Sequence, residues 1–399
     1  MSGQGELPES ERRAPSSVVA LAAGGTGGHL FPAQALAEVL VARGHRCVLF
    51  SEERAKKYVQ DMPGVELVVA PASTITPRQP WKAPGQIWRI WRGIRTARRE
   101  MRAREVACAV GFGGYPSLPP LLAAHFEKKP IMTHDAGVAI GLANRLLARF
   151  ATRMFVSFPR VTGLAPRYLE KTVHTGNPVR SAVRALAGAP YQPPQKADEP
   201  FRLLIVGGSQ GAHFFAKVMP AMLKELPRAL LKRLLLTMQC REEDMAATDK
   251  ALGALPLAGL TLQPFFSDLP QRMARAHLVI CRAGASTVAE LMVIGRPAIL
   301  IPYPYLADDE QGQNAEAFAR AGAGWVLRQE RATPERLAAL VTELAYKPEM
   351  LEAAHAAALA QGRPDAAERM ADVVESVLRT KCPEGLVPPP SAANRHGPS

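Results

Sequence analysis

Cysteine is scarce in this 399-residue chain: five, at Cys47, Cys108, Cys240, Cys281 and Cys382, with no CxxC pair and no histidine cluster nearby. That excludes a disulfide framework and a structural zinc site of the usual spacing. Aromatic residues are also few, at 6%. No apolar run approaches the roughly 20 residues that a membrane-spanning helix needs. Acid is in deficit, since 36 Asp and Glu stand against 49 Lys and Arg for a formal net charge of +13. A surplus of that size points to an anionic partner. The opening segment carries Glu6, Glu9, Glu11, Arg12 and Arg13 before any apolar run, the wrong order for a signal peptide, so a reducing cytoplasm is the expected compartment. With 47% hydrophobic and 21% charged residues, the chain reads as an ordinary globular protein. Its length allows about two or three domains.

Short glycine clusters carry most of the information. Residues 18–22, Val-Val-Ala-Leu-Ala, read as a buried strand that runs into Gly24-Gly-Thr-Gly-Gly-His29. Pro32 with Ala33, Leu36, Ala37, Val39 and Leu40 then reads as a helix with proline in its first turn. Glycine lets the backbone turn and approach a ligand without a Cβ, while the helix start offers unpaired N–H groups and the positive end of the dipole. His29 is the one titratable side chain in that loop. The pattern repeats at 201–212, Phe-Arg-Leu-Leu-Ile-Val-Gly-Gly-Ser-Gln-Gly-Ala, followed by the apolar helical positions Phe214, Phe215, Val218 and Met219. Two such starts, each opening one half of the chain, predict an α/β fold of two Rossmann-like, doubly wound domains facing each other across a cleft.

Two further loops, 111–116 after a strand at 106–110 and 282–290 after a strand at 278–281, should gather at the same carboxyl edges. In the second, Gly284, Ser286 and Thr287 read as a helix start with hydroxyl caps, suited to a diphosphate. Glu290, one turn further, suits two adjacent ribose hydroxyls, although a plain first-turn acid favoured by the dipole explains it as well. The proline-rich segment 190–200 reads as a connector, and the hinge is expected at Gly176-Asn-Pro-Val-Arg180. The resulting division is a flexible start over 1–15, a first domain over 16–178 completed by a helix at 364–380, a second domain over 179–363, and a disordered tail over 381–399.

The basic residues bunch in Arg78, Lys82, Arg89, Arg92, Arg95, Arg98, Arg99, Arg102 and Arg104, with Glu100 the only acid among them and Trp81, Trp88 and Trp91 interleaved. On a helix, Ile87, Ile90, Ile94 and Met101 share a face and should pack inward, leaving Trp88 beside Arg92, Arg95 and Arg99. Tryptophan beside arginine suits a lipid headgroup interface; a solvated basic helix is the plainer reading. No nucleic-acid motif accompanies the patch, so nucleic acid is not an expected partner.

Taken together, the GGTGGH and GGSQGA loops, GFGGYPS, GNPVR, CRAGASTVAE and DDEQGQNA resemble the MurG family over roughly residues 16–380. These are inverting peptidoglycan glycosyltransferases that move N-acetylglucosamine from UDP-N-acetylglucosamine to lipid I, making lipid II. The resemblance implies the GT-B fold, a C-terminal helix returning to the first domain, no cofactor and no catalytic metal. It implies that UDP-N-acetylglucosamine is held by Thr26, Gly27, Gly28, Arg180, Ser209, the backbone at Phe266, Ala285, Ser286, Thr287, Val288, Ala289, Glu290 and Gln311. His29 would be the base. Trp88, Trp91, Arg92, Arg95, Arg99, Gly113, Gly114 and Tyr115 would face lipid I and the anionic inner leaflet. The implied place is peripheral, on the cytoplasmic face of the inner membrane, with cell-wall synthesis and division proteins as further partners.

One departure stands out, because the family's His-Glu-Gln-Asn is His134-Asp-Ala-Gly137 here. The asparagine that contacts the sugar therefore has no counterpart at Gly137, and Asn144 lies too far along to replace it. Rival readings are a UDP-sugar epimerase, another GT-B glycosyltransferase, a nicotinamide-dependent dehydrogenase with Glu52 as its ribose acid, and a non-catalytic membrane-surface protein. The dehydrogenase is disfavoured because Gly25-x-Gly27-x-x-Leu30 lacks the third glycine of that fingerprint.

Overall fold

The computed structural model describes residues 16–59, 62–73, 83–305 and 307–381. The expected flexible start, the tail beyond 381, and Arg78, Trp81 and Lys82 lie outside the described residues. The first sheet contains β1 (Val18–Ala22), β2 (Arg46–Ser51), β3 (Val65–Val69), β4 (Val106–Gly111), β5 (Ile131–Asp135), β6 (Arg153–Val156) and β7 (Thr172–His174), in the order β3-β2-β1-β4-β5-β6-β7. The second contains β8 (Phe201–Val206), β9 (Leu234–Gln239), β10 (Gly259–Gln263), β11 (Leu278–Cys281), β12 (Ala298–Leu300) and β13 (Gly324–Val326), ordered β10-β9-β8-β11-β12-β13. All pairings are parallel.

Parallel strands covered on both faces must be apolar throughout, which is what the sequence of β1 supplies. Val19 and Leu21 enter the core under the Gly27–Ala42 helix, while Ala20 and Ala22 enter the core on the opposite face. In each sheet the strand order reverses beside the first strand, between β1 and β4 and between β8 and β11. Crevices form at such switch points beyond the carboxyl ends of the strands, and each takes two of the glycine-bearing loops, those after β1 and β4 in the first sheet and those after β8 and β11 in the second.

The final helix, Ala366–Lys381, packs on the first domain rather than the second. Ala367, Met370, Ala371, Val374, Val377 and Leu378 join the core beneath the Gly27–Ala42 helix. Arg43 Nη1 pairs with Asp372 at 2.7 Å and Glu375 at 3.2 Å, while Glu375 also meets the His45 ring at 3.2 Å. Met370 and Val374, fully buried on that face, contribute roughly 1.5–3 kcal/mol of burial energy each.

Two local expectations are corrected. The first helix starts at Gly27, so Pro32 is its sixth residue and His29 its third. The glycines are already helical, which places the histidine inside the dipole's positive turn. In the second domain β10 ends at Gln263 because Pro264 has no N–H for the ladder. Ile87 does not pack inward: it is 56% exposed, beside Trp88 at 55% and Trp91 at 49%. The seam of the Ala83–Ala103 helix runs instead through Gly93, Ala97 and Met101. A Cβ on Gly93 would lie 2.0 Å from the Pro71 carbonyl oxygen, so the backbones touch there. At 100° per residue Ile87 is turned about 120° from Gly93, where the backbones touch.

Candidate active site

His29 is held by three glycines and a threonine. Thr26, the N-cap residue, does not cap the backbone; its hydroxyl instead sits 3.1 Å from His29 Nδ1. From the loop after β4, Gly113 (φ 81°) and Gly114 (φ 74°) press against the other edge of the ring. A Cβ at Gly113 would stand 3.3 Å from His29 Cδ2, and one at Gly24 3.4 Å from Nδ1. Positive φ and close approach both demand glycine at 113 and 114. Burial of the ring lowers its pKa, so the imidazole is neutral near pH 7.

The loop's other neighbours explain themselves. His134 lies in β5, buried, with Nε2 3.3 Å from Ser157 Oγ, and burial followed by the charge of His29 pushes it down to about 3. It is a permanently neutral ring. Asp135 accepts from the Gly141 N–H at 2.8 Å and from Asn144 Nδ2 at 3.0 Å, while burial raises its pKa. Tyr115 donates to Glu52, which also binds Arg54 Nε at 2.5 Å. Glu52 is therefore committed to a rim contact and does not hold a dinucleotide ribose.

On the second domain, the helix Ala285–Ile294 follows β11 with Gly284 as its N-cap. The expected hydroxyl caps are absent: no side chain caps the helix, and Ser286 Oγ is buried without a partner. The first-turn N–H groups are thus left to a ligand. Val288 sends its side chain into the core, so only its backbone can face the cleft. Glu290 is buried and paired with Arg180 Nη2 at 2.9 Å; burial raises its pKa and Arg180 opposes that. Gln311 spends its carbonyl oxygen on the N–H groups of Ala283 (3.2 Å) and Tyr303 (2.9 Å), so only its amide NH2 is left to donate. Phe266 is buried under the Arg272 guanidinium, 4.4 Å from its ring centroid. The helix Gly208–Lys224 begins inside the second glycine cluster; the side chain of Ser209 lies outside the described ones.

The two domains meet at Gly137. A Cβ there would lie 3.5 Å from both Asn314 Oδ1 and Glu310 Cγ of the second domain, and Asn314 accepts from the Val138 N–H at 2.9 Å. Burial, then the nearby charge of Asp135, raises the Glu310 pKa. Asp308 binds Arg145 at 2.5 Å and Asp309 binds Arg328 at 2.7 Å, so both aspartates of that run are tied into ion pairs. Sequence reasoning missed Phe31, Asn314 and the orphaned amide of Asn177, which lines a small cavity at the hinge. Nothing local marks Phe31 and Asn314, because the Arg180 guanidinium over the one and the Val138 N–H bonded to the other come from the opposite domain.

On the basic helix the arginines divide into two groups. Arg98 and Arg102 bind Glu127, Arg99 binds Glu100, and Arg104 binds both Glu100 and Glu66. Arg89, Arg92 and Arg95 have no carboxylate partner among the described residues. Arg92 and Arg95 lie over Trp88 and Trp91, each 4.7 Å from the ring centroid.

Residues 19–156 match the glycosyltransferase family 28 N-terminal domain and residues 202–370 the family 28 C-terminal domain. The chain is 48% identical over 364 residues to a protein of Methylobacterium nodulans, covering 91% of this chain and 97% of that one. It is 45% identical over 361 residues to one of Rhizobium rhizogenes, covering 90% and 95%. Both are named UDP-N-acetylglucosamine–N-acetylmuramyl-(pentapeptide) pyrophosphoryl-undecaprenol N-acetylglucosamine transferase. The crystal structure of Acinetobacter baumannii MurG superposes with a TM-score of 0.73 at 28% identity, covering 91% of this chain and all of that one. A UDP-N-acetylglucosamine 2-epimerase of Listeria monocytogenes (TM-score 0.67, 15% identity) shares the fold alone. With both domains matched and near-half identity along nine-tenths of its length, the chain belongs to the MurG family of glycosyltransferases.

Proposed function

We propose that this protein transfers N-acetylglucosamine from UDP-N-acetylglucosamine to the C4 hydroxyl of N-acetylmuramic acid in lipid I, with inversion, forming lipid II. The observation that carries the reading is the opposition of a neutral imidazole, His29, on one domain to an uncapped helix start with Glu290 and Arg180 on the other. The acceptor oxygen bonds to the anomeric carbon as the bond to the diphosphate oxygen breaks; the hydroxyl proton passes to His29 Nε2, and UDP leaves with the electron pair. Thr26 fixes the tautomer by accepting from Nδ1–H. The N–H groups at 285–287 and Arg180 stabilise charge developing on the diphosphate.

In this assignment the first domain (16–178 with 364–380) receives the acceptor, and the second (179–363) holds the donor. Glu290 takes the ribose hydroxyls, Gln311 the sugar through its amide NH2, Ser209 the diphosphate, and the backbone at Phe266 the uracil. Gly113, Gly114 and Tyr115 line the acceptor side. No helix among the described residues is long and apolar enough to cross a membrane. The exposed Ile87, Trp88 and Trp91 with Arg89, Arg92 and Arg95 supply a peripheral contact to anionic lipid at the cytoplasmic face. Cell-wall synthesis and division proteins are the further partners this placement implies. Incubation with radiolabelled UDP-N-acetylglucosamine and a lipid I analogue tests the proposal: label in the lipid product supports transfer, while epimerised UDP-sugar without lipid labelling overturns it.

A further inference from the structure

The guanidinium of Arg180 touches more than Glu290. Its central carbon lies 4.4 Å from the centroid of the Phe31 ring, and Phe31 belongs to the first domain, two residues beyond His29. The same ring lies on the glycine loop: a Cβ at Gly27 would be 2.9 Å from Phe31 Cε2. One aromatic face thus connects the backbone beneath the histidine to a cation that is bound to a carboxylate of the opposite domain. Arg180 Nε, meanwhile, is buried and has no hydrogen-bond partner. A buried donor left unpaired costs free energy that an incoming acceptor recovers. The arrangement is complete on its Glu290 side and incomplete on the side where a diphosphate would lie.

We infer that Phe31 is a positioning residue: its ring carries the Arg180 guanidinium across the cleft while that cation exchanges Glu290 for the donor diphosphate. The inference rests on the donor site assigned above. When ribose hydroxyls donate to Glu290, the ion pair with Arg180 weakens, and the face of Phe31 keeps the guanidinium from swinging into water. Stacking restrains the cation's position but leaves its N–H groups free to turn, so Nε and Nη2 meet the phosphate oxygens as negative charge develops on them. Donor occupancy is thereby felt at the loop that holds His29, because the ring is wedged between Gly27 and Arg180.

The role predicts a loss in rate more than in affinity, since Arg180 has a partner in the free protein and matters most as the leaving group departs. Phe31→Leu keeps apolar volume but removes the ring; Phe31→Tyr keeps the ring. With UDP-N-acetylglucosamine and a soluble lipid I analogue, Phe31→Leu should lower kcat about tenfold, the scale of a desolvated cation–π contact. UDP affinity by calorimetry should stay within about twofold of wild type, and Phe31→Tyr should recover kcat to within about twofold. In an Arg180→Ala background, Phe31→Leu should cost less than about twofold, because the cation it positions is gone. An unchanged kcat in Phe31→Leu, an equal loss in both backgrounds, or a Tyr variant as slow as the Leu variant each overturns the inference while leaving the donor site intact. An Arg180→Ala protein with wild-type rate and UDP affinity overturns the donor-site assignment itself, and the inference with it.

Discussion

Replacing His29 by alanine removes the group on which the mechanism turns, and its surroundings allow the cost to be worked out. The imidazole lies outside the apolar core, half-buried and held by the Thr26 hydroxyl at 3.1 Å and by glycine backbone. Its loss should leave the fold in place, with Tm within a few degrees of wild type. A positioned general base supplies about 10²–10⁴ in rate, or roughly 2.7–5.4 kcal/mol of the barrier. The donor contacts lie mainly on the second domain, so UDP affinity should stay close to wild type. Steady-state assays at saturating donor and acceptor, with calorimetry of UDP binding, read both quantities. The wild-type kcat/KM should fall on acidification with an apparent pKa below 6.5, because burial lowers that of His29 and only the neutral ring accepts a proton. In His29→Ala that acid limb should vanish. A variant turning over within about threefold of wild type would refute the assignment. Asp135 is then the next base to test, although its carboxylate is already engaged by Gly141 and Asn144.

Glu290→Gln should weaken UDP binding about five- to thirtyfold by calorimetry, less than a free carboxylate would lose, because the ribose must displace Arg180 from it; unchanged affinity removes Glu290 from the donor site. Replacing Arg89, Arg92 and Arg95 by alanine should weaken binding to anionic vesicles by about fivefold per residue at low salt. The same change at Arg98 and Arg102, already neutralised by Glu127, should do much less, and equal effects would show that pairing is irrelevant. His277, buried against Arg202, Arg296 and Arg233, is pushed down to about 4, chiefly by desolvation. Between pH 6.5 and 4 the unfolded chain binds a proton that the folded ring refuses, so stability falls on acidification by up to about 1.4 kcal/mol per pH unit for this group. His277→Asn should flatten that slope in urea titrations, and an unaltered slope refutes the burial argument.

The two-domain fold was legible because its signals are local. An apolar strand, a glycine cluster and a helical periodicity follow one another directly at 18–40 and again at 201–219, and each dictates its own conformation before any tertiary contact forms. The identity of His29, the helix start after β11 and the presence of a final helix came from the same source, although the absence of a hydroxyl cap on that start did not. Tertiary structure decided the partnerships. Arg180 and Glu290 are 110 residues apart, and only the packing of the Ser181–Arg184 turn against the Ala285–Ile294 helix within the second domain pairs them. Gly113 and Gly114 need their glycine because a ring from another strand's loop fills the space beside them. Gln311 lost its carbonyl to two backbone N–H groups, and Ile87 stayed exposed because Gly93, not an isoleucine, sets the seam of its helix. Periodicity fixes which residues share a face, but which face is buried, and which charge meets which, follows from the surface that the rest of the chain presents to it.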